Sequence, residues 1–126
     1  DVEGCTKVGV VGFCMGGALT VIAAAHPGVD CYAAFYGFPG KGAVDLSSIK
    51  VPGRIFFGEE EGFFSVPDAQ AFARAQEERG IDTEVIIYKG AGHAFFNSDR
   101  PQVYRESAAY DAWGRTLTLF AQNLRR

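Results

Sequence analysis

Apolar residues recur along the chain in four short runs that are separated by glycine, proline and charged positions. Strands of a parallel sheet are buried on both faces, and they therefore appear in a sequence as nearly continuous apolar runs. Glycine and proline next to such a run indicate where it ends. The pattern predicts four strands, over residues 7–13, 31–36, 54–57 and 83–89.

Three further segments have the apolar spacing or the end signals of helices. The segment from Met15 to about Ala25 is apolar nearly all round, which predicts a buried helix. A Ser-x-x-Asp capping pattern begins a second helix at Ser65, and Gly80 ends it. A third helix is predicted from near Val103 to Leu124, with an apolar seam of Trp113, Leu117, Phe120 and Leu124.

Strands that alternate with helices predict a parallel sheet joined by right-handed crossovers. The expected fold class is therefore α/β, with a parallel sheet of about four strands and flanking helices. At 126 residues the chain is expected to form a single domain, residues 1–126. Ligands of such sheets bind at the carboxyl ends of the strands, so reactive side chains directly after strands are the candidates for a functional site.

Composition and charge exclude several classes of function. Hydrophobic residues make up 48% of the chain and charged residues 21%, which is ordinary for a globular protein. The net charge of −3 and the lack of a basic stripe argue against a nucleic-acid partner. The longest apolar segment, residues 18–25, is too short to span a membrane. Neither a nucleic acid nor a membrane is therefore expected as a partner.

The cysteines and glycines exclude several cofactors. Cys5, Cys14 and Cys31 make an odd number with no Cys-x-x-Cys pair, so we expect neither a disulfide framework nor a metal site. The same usage predicts a reducing, cytoplasmic location. The glycines of residues 9–17 lack the Gly-x-Gly-x-x-Gly spacing of a dinucleotide loop, and no cofactor is expected.

The stretch Gly12-Phe13-Cys14-Met15-Gly16-Gly17 ends the first predicted strand and opens the first predicted helix. Glycines two residues to either side of Cys14 give the spacing of a nucleophile elbow, a strained turn where side chains at the flanks would clash. The turn places the thiol at a helix N-terminus, whose free N–H groups favour a thiolate and a developing oxyanion. The alternative is that Cys14 is a small core residue, as most free cysteines are.

Two further reactive groups follow later strands, the acidic run Glu59–Glu61 and His93. The carboxyl ends of parallel strands meet at one edge of a sheet, so both groups are expected near Cys14. The chain order of nucleophile, acid and histidine is that of α/β-hydrolases, in which a carboxylate orients the imidazole that takes the nucleophile's proton. The alternatives are a surface histidine and solvated loop charges. His26, in a His-Pro-Gly segment, is interpreted as a helix-terminating residue.

These motifs resemble the C-terminal half of the dienelactone hydrolase family, also called carboxymethylenebutenolidase-like. The matching stretches follow one another over nearly the whole chain: Gly12-Phe13-Cys14-Met15-Gly16-Gly17, Ala34-Phe35-Tyr36-Gly37, Phe57-Gly58-Glu59-Glu60-Glu61, Gly90-Ala91-Gly92-His93-Ala94-Phe95 and Ala112-Trp113-Gly114-Arg115-Thr116-Leu117. The resemblance implies the C-terminal half of an α/β-hydrolase sheet. It also implies a Cys/Asp/His triad that opens lactones and esters through an acyl-thioester.

The sequence departs from the family pattern in two respects. The family's acid is an aspartate three residues after the glycine that ends its strand, and this position is Glu61 here; α/β-hydrolases use either carboxylate. The family's earlier strands, with the loop that donates a second oxyanion N–H, have no counterpart in this chain. The N–H of Met15 alone would be half an oxyanion hole, and losing one donor costs about 3–4 kcal/mol of transition-state stabilisation.

We therefore predict a hydrolase of esters or lactones in which Cys14 is the nucleophile, His93 the general base and acid, and Glu61 the orienting carboxylate. The alternative is a truncated, catalytically incompetent domain that acts as a structural or assembly unit. A thiol redox sensor would need a resolving cysteine, and none is placed for it. Four aromatic residues are candidates for an apolar substrate pocket, with core packing as the alternative: Phe13, Phe38, Phe63 and Phe95.

The strand over residues 7–13 also bears on assembly. It would be central in the family's fold, but without the earlier strands it becomes an exposed edge that carries no charge in its valine-rich part. Apolar faces of neighbouring helices would be exposed with it. We therefore expect a homo-oligomer, or association with a missing N-terminal segment.

Overall fold

Four parallel strands form a single sheet, as the apolar runs predict. The computed structural model describes residues 6–40, 45–62, 64–91, 93–94 and 106–124. Its strands are β1 (Gly9–Phe13), β2 (Cys31–Phe35), β3 (Gly53–Gly58) and β4 (Thr83–Tyr88). Their order in the sheet is β1-β2-β3-β4, and each neighbouring pair is parallel. All four carboxyl ends therefore meet at one edge, and the α/β fold class is confirmed.

Helices lie on both faces of this sheet. They are α1 (Met15–Ala23), α2 (Val66–Glu78) and α3 (Glu106–Leu124), with a short 3₁₀ turn at Leu46–Ser48. A Cβ atom added to Gly9 would lie 3.0 Å from Leu124 in α3, whereas one added to Gly12 would lie 2.1 Å from the carbonyl oxygen of Gly16 in α1. Side chains three positions apart on a strand point to opposite faces, so α1 and α3 cover opposite faces of β1. Within the described ranges, no helix combines the length and the apolar character needed to cross a bilayer.

The two central strands carry most of the core. All five residues of β2 are buried, and in β3 only Arg54 keeps partial exposure. Each fully buried aliphatic or aromatic side chain stabilises the fold by roughly 1.5–3 kcal/mol. The rings of Phe35 and Phe56 pack 4.8 Å apart across the two strands, close to their carboxyl ends. The sheet edge where reactive groups are predicted is therefore supported by a tightly packed aromatic core.

The predicted ends of α2 are confirmed. In the turn after α1, as at the start of α2, a side chain accepts a hydrogen bond from a nearby backbone N–H. The hydroxyl of Ser65 accepts a hydrogen bond from the N–H of Asp68 at 3.2 Å, which satisfies one of the free donors at the helix start. Gly80 follows the helix with a φ of 78°, a conformation that glycine adopts without strain. His26 accepts a hydrogen bond from the N–H of Gly28 at 3.0 Å, which agrees with its interpretation as a helix-terminating residue.

Strand β1 lies at one edge of the sheet and is shorter than predicted. It begins at Gly9, because the N–H of Val8 bonds to the side chain of Asp30 at 2.7 Å rather than to a strand neighbour. It was predicted to be buried on both faces, yet Val11 and Phe13 remain 37% and 38% exposed. Within the described part of the chain β1 has a strand neighbour on one side only, which leaves its outer side open.

Two helix faces that were predicted to be buried are exposed. The first helix ends at Ala23, and within it Met15 and Leu19 are 71% and 58% exposed. In α3 the predicted seam is wrong for Trp113 and Leu117, which are 39% and 52% exposed. Mostly small residues face the sheet instead, because they let the helix approach it closely. These buried positions are Ala108, Ala109, Ala112, Thr116 and Leu119.

The open side of β1 leads to a prediction about association. We expect the purified chain to associate through this edge, because an apolar strand without a neighbour is a template for pairing with another chain. Light scattering should therefore give a mass above that of the monomer. Val11→Lys should lower this mass, since charges on an edge strand oppose pairing.

The matched control is Ile87→Lys, which places the same charge at the opposite edge of the described sheet. Ile87 lies on β4 and is 40% exposed, so its exposure resembles that of Val11. This substitution should leave the mass unchanged. A monodisperse monomer for the unmodified chain, or equal effects of the two substitutions, would contradict an interface at β1.

Candidate active site

Cys14 lies in a sharp turn between β1 and α1. Its backbone has φ 61° and ψ −123°, a strained conformation that costs on the order of 1–3 kcal/mol for a residue with a side chain. The N–H of Cys14 donates to the carbonyl of Phe35 at 2.9 Å, and its own carbonyl accepts from the N–H of Gly17 at 3.0 Å. The first of these bonds ties the turn to the end of β2, so the neighbouring strand helps to hold the strained conformation.

Glycine is needed on one side of this turn and not on the other. A Cβ atom at Gly12 would lie 2.1 Å from the carbonyl oxygen of Gly16 and 2.3 Å from the hydroxyl of Thr20. A Cβ atom at Gly16 would meet nothing within 4 Å among the described residues. The expectation that both flanks require glycine is therefore right for Gly12 and wrong for Gly16. The clash depends on which backbone passes close by, and the spacing in the sequence does not show this.

Two other glycines make close contacts with the turn. A Cβ atom at Gly17 would lie 2.7 Å from the carbonyl oxygen of Phe35, and one at Gly37 would lie 2.0 Å from that of Cys14. Gly17 thus lets α1 lie against the end of β2, and Gly37 lets the segment after β2 pass next to the cysteine. The glycine spacing around Cys14 does not predict this role for Gly37. Its position shortly after β2, on the carboxyl side of the sheet where Cys14 also lies, is the one sequence feature that points to this role.

The thiol of Cys14 contacts the imidazole of His93. Sγ lies 2.9 Å from Nε2, although 79 positions separate the two residues in the chain. Cys14 is exposed, whereas the side chain of His93 is only 13% exposed. The strands that precede the two residues, β1 and β4, are the outer strands of the described sheet, but both end on its carboxyl side. The segments that follow them can therefore meet there.

Glu61 binds the other nitrogen of the same ring. Its Oε1 and Oε2 lie 2.8 Å and 3.0 Å from Nδ1 of His93, and its side chain is fully buried. An ionised carboxylate only accepts hydrogen bonds, so Nδ1 carries a proton and Nε2 faces the sulfur. A buried carboxylate must be paired, and the N–H of Phe64 donates a further bond to Oε2 at 3.1 Å. The structure thus brings Glu61, and not its two acidic neighbours, to the imidazole.

The two neighbouring glutamates join the acid loop to the histidine loop. The N–H of Glu59 donates to the carbonyl of Tyr88 at 2.8 Å, and its Oε1 accepts from the N–H of Gly90 at 3.3 Å. The N–H of Glu60 donates to the carbonyl of Ala91 at 2.9 Å. The interpretation of Glu59 and Glu60 as solvated loop charges therefore misses part of their role. Their hydrogen bonds connect the segment that carries the acid to the segment that carries the histidine.

Aromatic rings contact the imidazole from two directions. The ring of Tyr36 meets that of His93 edge-on with centroids 5.2 Å apart, and Phe64 stacks against it at 5.8 Å. Burial, and to a lesser extent the nearby Cys14, raises the pKa of the Tyr36 phenol to about 12, so it stays protonated near neutral pH. No sequence motif predicts a role for Tyr36, although this residue directly follows β2, whose carboxyl end lies beside the site.

The predicted pocket residues have different outcomes. Phe13, next to the cysteine, packs 4.7 Å from the ring of Phe35 and keeps part of its own ring open to solvent. Phe38 is 5% exposed and packs against Phe72, so it is a core residue and we no longer place it in the pocket. The two remaining candidates, Phe63 and Phe95, lie outside the described residues.

Met15 is the first residue of α1 and directly follows the cysteine. Its N–H belongs to the free donors at the helix start, and Cys14 provides no side-chain cap for them. The predicted oxyanion donor therefore lies at a helix N-terminus next to the thiol. In the ranges that the structure covers, no three His, Cys, Asp or Glu side chains are grouped so that they could hold a metal ion.

A cysteine, a carboxylate and a histidine that follow the first, third and fourth strands of one parallel sheet, in this chain order, define an α/β hydrolase. The sequence model of the dienelactone hydrolase family matches residues 2–124. The chain therefore belongs to the dienelactone hydrolase family.

Individual relatives agree with this assignment. "Protein usf" of Aquifex pyrophilus is 37% identical over 120 residues, and the "Putative carboxymethylenebutenolidase" of Aquifex aeolicus (strain VF5) is 34% identical over 121. Each alignment covers 94% of this chain and 52% of the relative. The crystal structure of a "Putative Dienelactone Hydrolase" from Klebsiella pneumoniae is similar with a TM-score of 0.78 at 28% identity, over 93% of this chain and 52% of that one. The chain thus spans about half the length of the relatives it matches.

The contacts at the turn predict different responses to two alanine substitutions. Gly12→Ala should destabilise the fold by about 1–3 kcal/mol, because backbone atoms of α1 would have to move. Gly16→Ala should be neutral or slightly stabilising, since alanine is the better helix former and its Cβ atom meets no described neighbour. Urea unfolding midpoints measure the difference, and equal midpoints would be evidence against the packing described here.

The surroundings of Cys14 and Cys31 predict which thiol is the more reactive, and Cys5 lies outside the described residues. Burial, with a smaller contribution from Asp30, raises the pKa of Cys31 to about 11, so this thiol stays protonated near neutral pH. Cys14 is exposed and lies beside an imidazole that can take its proton. Iodoacetamide labelling near neutral pH should therefore modify Cys14 ahead of Cys5 and Cys31, and labelling of Cys31 should appear only as the pH approaches 11. Peptide mass mapping distinguishes the sites, and equal modification of all three would contradict the prediction.

Proposed function

We propose that this chain carries the catalytic centre of a hydrolase that opens carboxylic esters or lactones through a thioester on Cys14. The observation that carries the proposal is the continuous line of contacts from Sγ of Cys14 to His93 at 2.9 Å and from His93 to Glu61 at 2.8 Å. A thiol, an imidazole and a buried carboxylate in this order are the groups that acyl transfer requires. Membership of the dienelactone hydrolase family supports the same class of reaction.

In the first half-reaction, Nε2 of His93 takes the thiol proton as the sulfur of Cys14 bonds to the carbonyl carbon of the substrate. The carbonyl π electrons move to oxygen and give a tetrahedral oxyanion. When this intermediate collapses, the bond from carbon to the leaving oxygen breaks, and the imidazolium gives its proton to that oxygen. An ester releases its alcohol at this point, whereas a lactone keeps the new hydroxyl attached to the acyl group.

In the second half-reaction, His93 removes a proton from water as the water oxygen attacks the thioester carbon. Collapse of the second intermediate expels the thiolate, which the imidazolium reprotonates, and the product leaves as a carboxylic acid or a hydroxy acid. Glu61 accepts the Nδ1–H throughout, which holds the tautomer and stabilises the imidazolium. Because its side chain is fully buried, water weakens this stabilisation little.

The proposed oxyanion donor is the N–H of Met15 at the start of α1. The positive end of the helix dipole adds to its effect on the developing charge. Removing one donor from such a hole typically lowers kcat by roughly 10²–10³-fold, and this is the contribution that we assign to the N–H of Met15.

Esters and lactones fit a thiol nucleophile better than amides do. The tetrahedral intermediate of an amide expels the thiolate more readily than the poor amine leaving group, and the reaction returns to substrate. The name of the Aquifex aeolicus relative gives a butenolide, which is an unsaturated lactone, as the substrate of that protein. The partly open ring of Phe13 next to Cys14 supports an apolar acyl group in this chain.

An activated ester tests the reaction. 4-Nitrophenyl acetate should give a burst of nitrophenol stoichiometric with the chain, followed by slower turnover, and mass analysis should find the acetyl group on Cys14. Cys14→Ala should abolish both phases. A burst without later turnover would favour the alternative of a truncated domain that keeps the turn for a structural role. The absence of any thioester would overturn the proposal.

The role of the buried carboxylate is tested by its amide. Glu61→Gln should lower kcat on the order of 10³–10⁴-fold, because a neutral amide stabilises neither the required tautomer nor the imidazolium. Glu60→Gln is the matched control, since this exposed neighbour holds the histidine loop through its backbone N–H. It should leave kcat close to that of the unmodified chain. Similar losses in the two variants would mean that Glu61 is not the orienting group.

A further inference from the structure

Tyr36 has an unusual backbone conformation next to the proposed nucleophile. It directly follows β2 and has a φ of 40°, in the left-handed region that residues other than glycine seldom occupy. Its N–H donates to the carbonyl of Phe56 at 2.7 Å, and only 3% of the residue is exposed. Such conformations persist where the surrounding structure enforces them, and they are concentrated at functional sites.

The ring of Tyr36 is held against the imidazole. Its plane makes an angle of 64° with that of His93 at a centroid distance of 5.2 Å, the edge-to-face arrangement that aromatic rings favour. Phe64 contacts the same imidazole at a different angle, with planes 26° apart. Tyr36 also packs against Phe13 at 6.1 Å and Phe35 at 6.3 Å. It therefore cannot turn away from His93 without displacing other rings.

The hydrogen bond to Glu61 does not by itself fix the direction of Nε2. Nδ1 of His93 lies at nearly equal distances, 2.8 Å and 3.0 Å, from the two carboxylate oxygens. Small coupled rotations about the Cα–Cβ and Cβ–Cγ bonds of His93 can therefore move the ring while Nδ1 stays bonded to one oxygen or the other. This movement turns the lone pair of Nε2 away from Sγ of Cys14. Contacts on the edge and the face of the ring restrict it, as the supporting shell of a catalytic group must do.

We propose that Tyr36 is a positioning residue for His93, whose ring, held by a strained backbone, keeps Nε2 directed at Sγ of Cys14. This rests on the proposed function, because it assigns Tyr36 to the orientation of the general base in that reaction. The aromatic ring makes the contact, so the hydroxyl is not required. Tyr36 acts through the imidazole and takes no part in bond formation.

Three substitutions of Tyr36 distinguish the contribution of its ring to kcat from those of its hydroxyl and of its strained backbone. Tyr36→Phe keeps the ring and should leave kcat and KM close to those of the unmodified chain. Tyr36→Leu removes the ring, and Tyr36→Asn removes it with a residue that tolerates positive φ. These two should lower kcat on the order of 10–100-fold with KM little changed, because misalignment of a catalytic group acts on the transition state more than on binding. Phe72→Leu, which loses a ring contact with Phe38 in the core, is the matched control and should keep kcat.

A second measurement does not require turnover. The rate at which iodoacetamide alkylates Cys14 depends on how much thiolate forms, and therefore on the imidazole beside it. The Leu and Asn variants of Tyr36 should shift the alkylation–pH profile to higher pH, whereas Tyr36→Phe and Phe72→Leu should keep the profile of the unmodified chain. Urea midpoints show whether Tyr36→Leu folds, and if it does not, Tyr36→Asn decides the result.

An unchanged kcat and alkylation profile in the Leu and Asn variants would overturn the positioning role. So would a loss in Tyr36→Phe as large as theirs, because the hydroxyl rather than the ring would then be responsible. Failure of the proposed function looks different: the unmodified chain forms no thioester with 4-nitrophenyl acetate. In that case the alkylation profiles still show whether Tyr36 holds His93 against the thiol.

Discussion

The strained turn at Cys14 is the constraint on which the rest of the site depends. A φ of 61° is maintained because the N–H of Cys14 is bound by the carbonyl of Phe35 and because the backbone around the turn packs closely. Three glycines permit this packing: Gly12 lies against α1, Gly17 against the end of β2, and Gly37 against the carbonyl of Cys14. The exposed thiol, the start of α1 and the parallel pairing of the two strands therefore form one packing arrangement.

The burial of Glu61 imposes a second constraint on the same sheet edge. A carboxylate without solvent contact is stable only if hydrogen-bond donors are in place, and here they are His93 and the N–H of Phe64. The backbone bonds of Glu59 and Glu60 to the segment after β4 bring the two loops together. Each loop thus depends on the other, and the imidazole that they hold is the group that reaches the thiol.

Much of this arrangement could be predicted from local sequence patterns. Apolar runs between glycine and proline gave the four strands to within two residues at their ends, because parallel strands are buried on both faces. The ends of α2 followed from Ser65 and Gly80, whose effects act within one helical turn. The family resemblance identified Glu61 among the three glutamates, because it lies three residues after the glycine that ends the strand, where the family has its acid. A loop of the same length places its acid at the equivalent point in the fold.

The sequence by itself determined the order of the elements, the parallel sheet and the identity of the three polar groups at its edge, because these follow from local periodicity and spacing. Only the tertiary structure decided which apolar faces are covered. Met15, Leu19 and Trp113 read as core residues but keep substantial exposure, because periodicity shows that a face is apolar and not that anything packs on it. The roles of Gly37 and Tyr36 were likewise decided in three dimensions, since each depends on a group distant in the chain that the fold brings close.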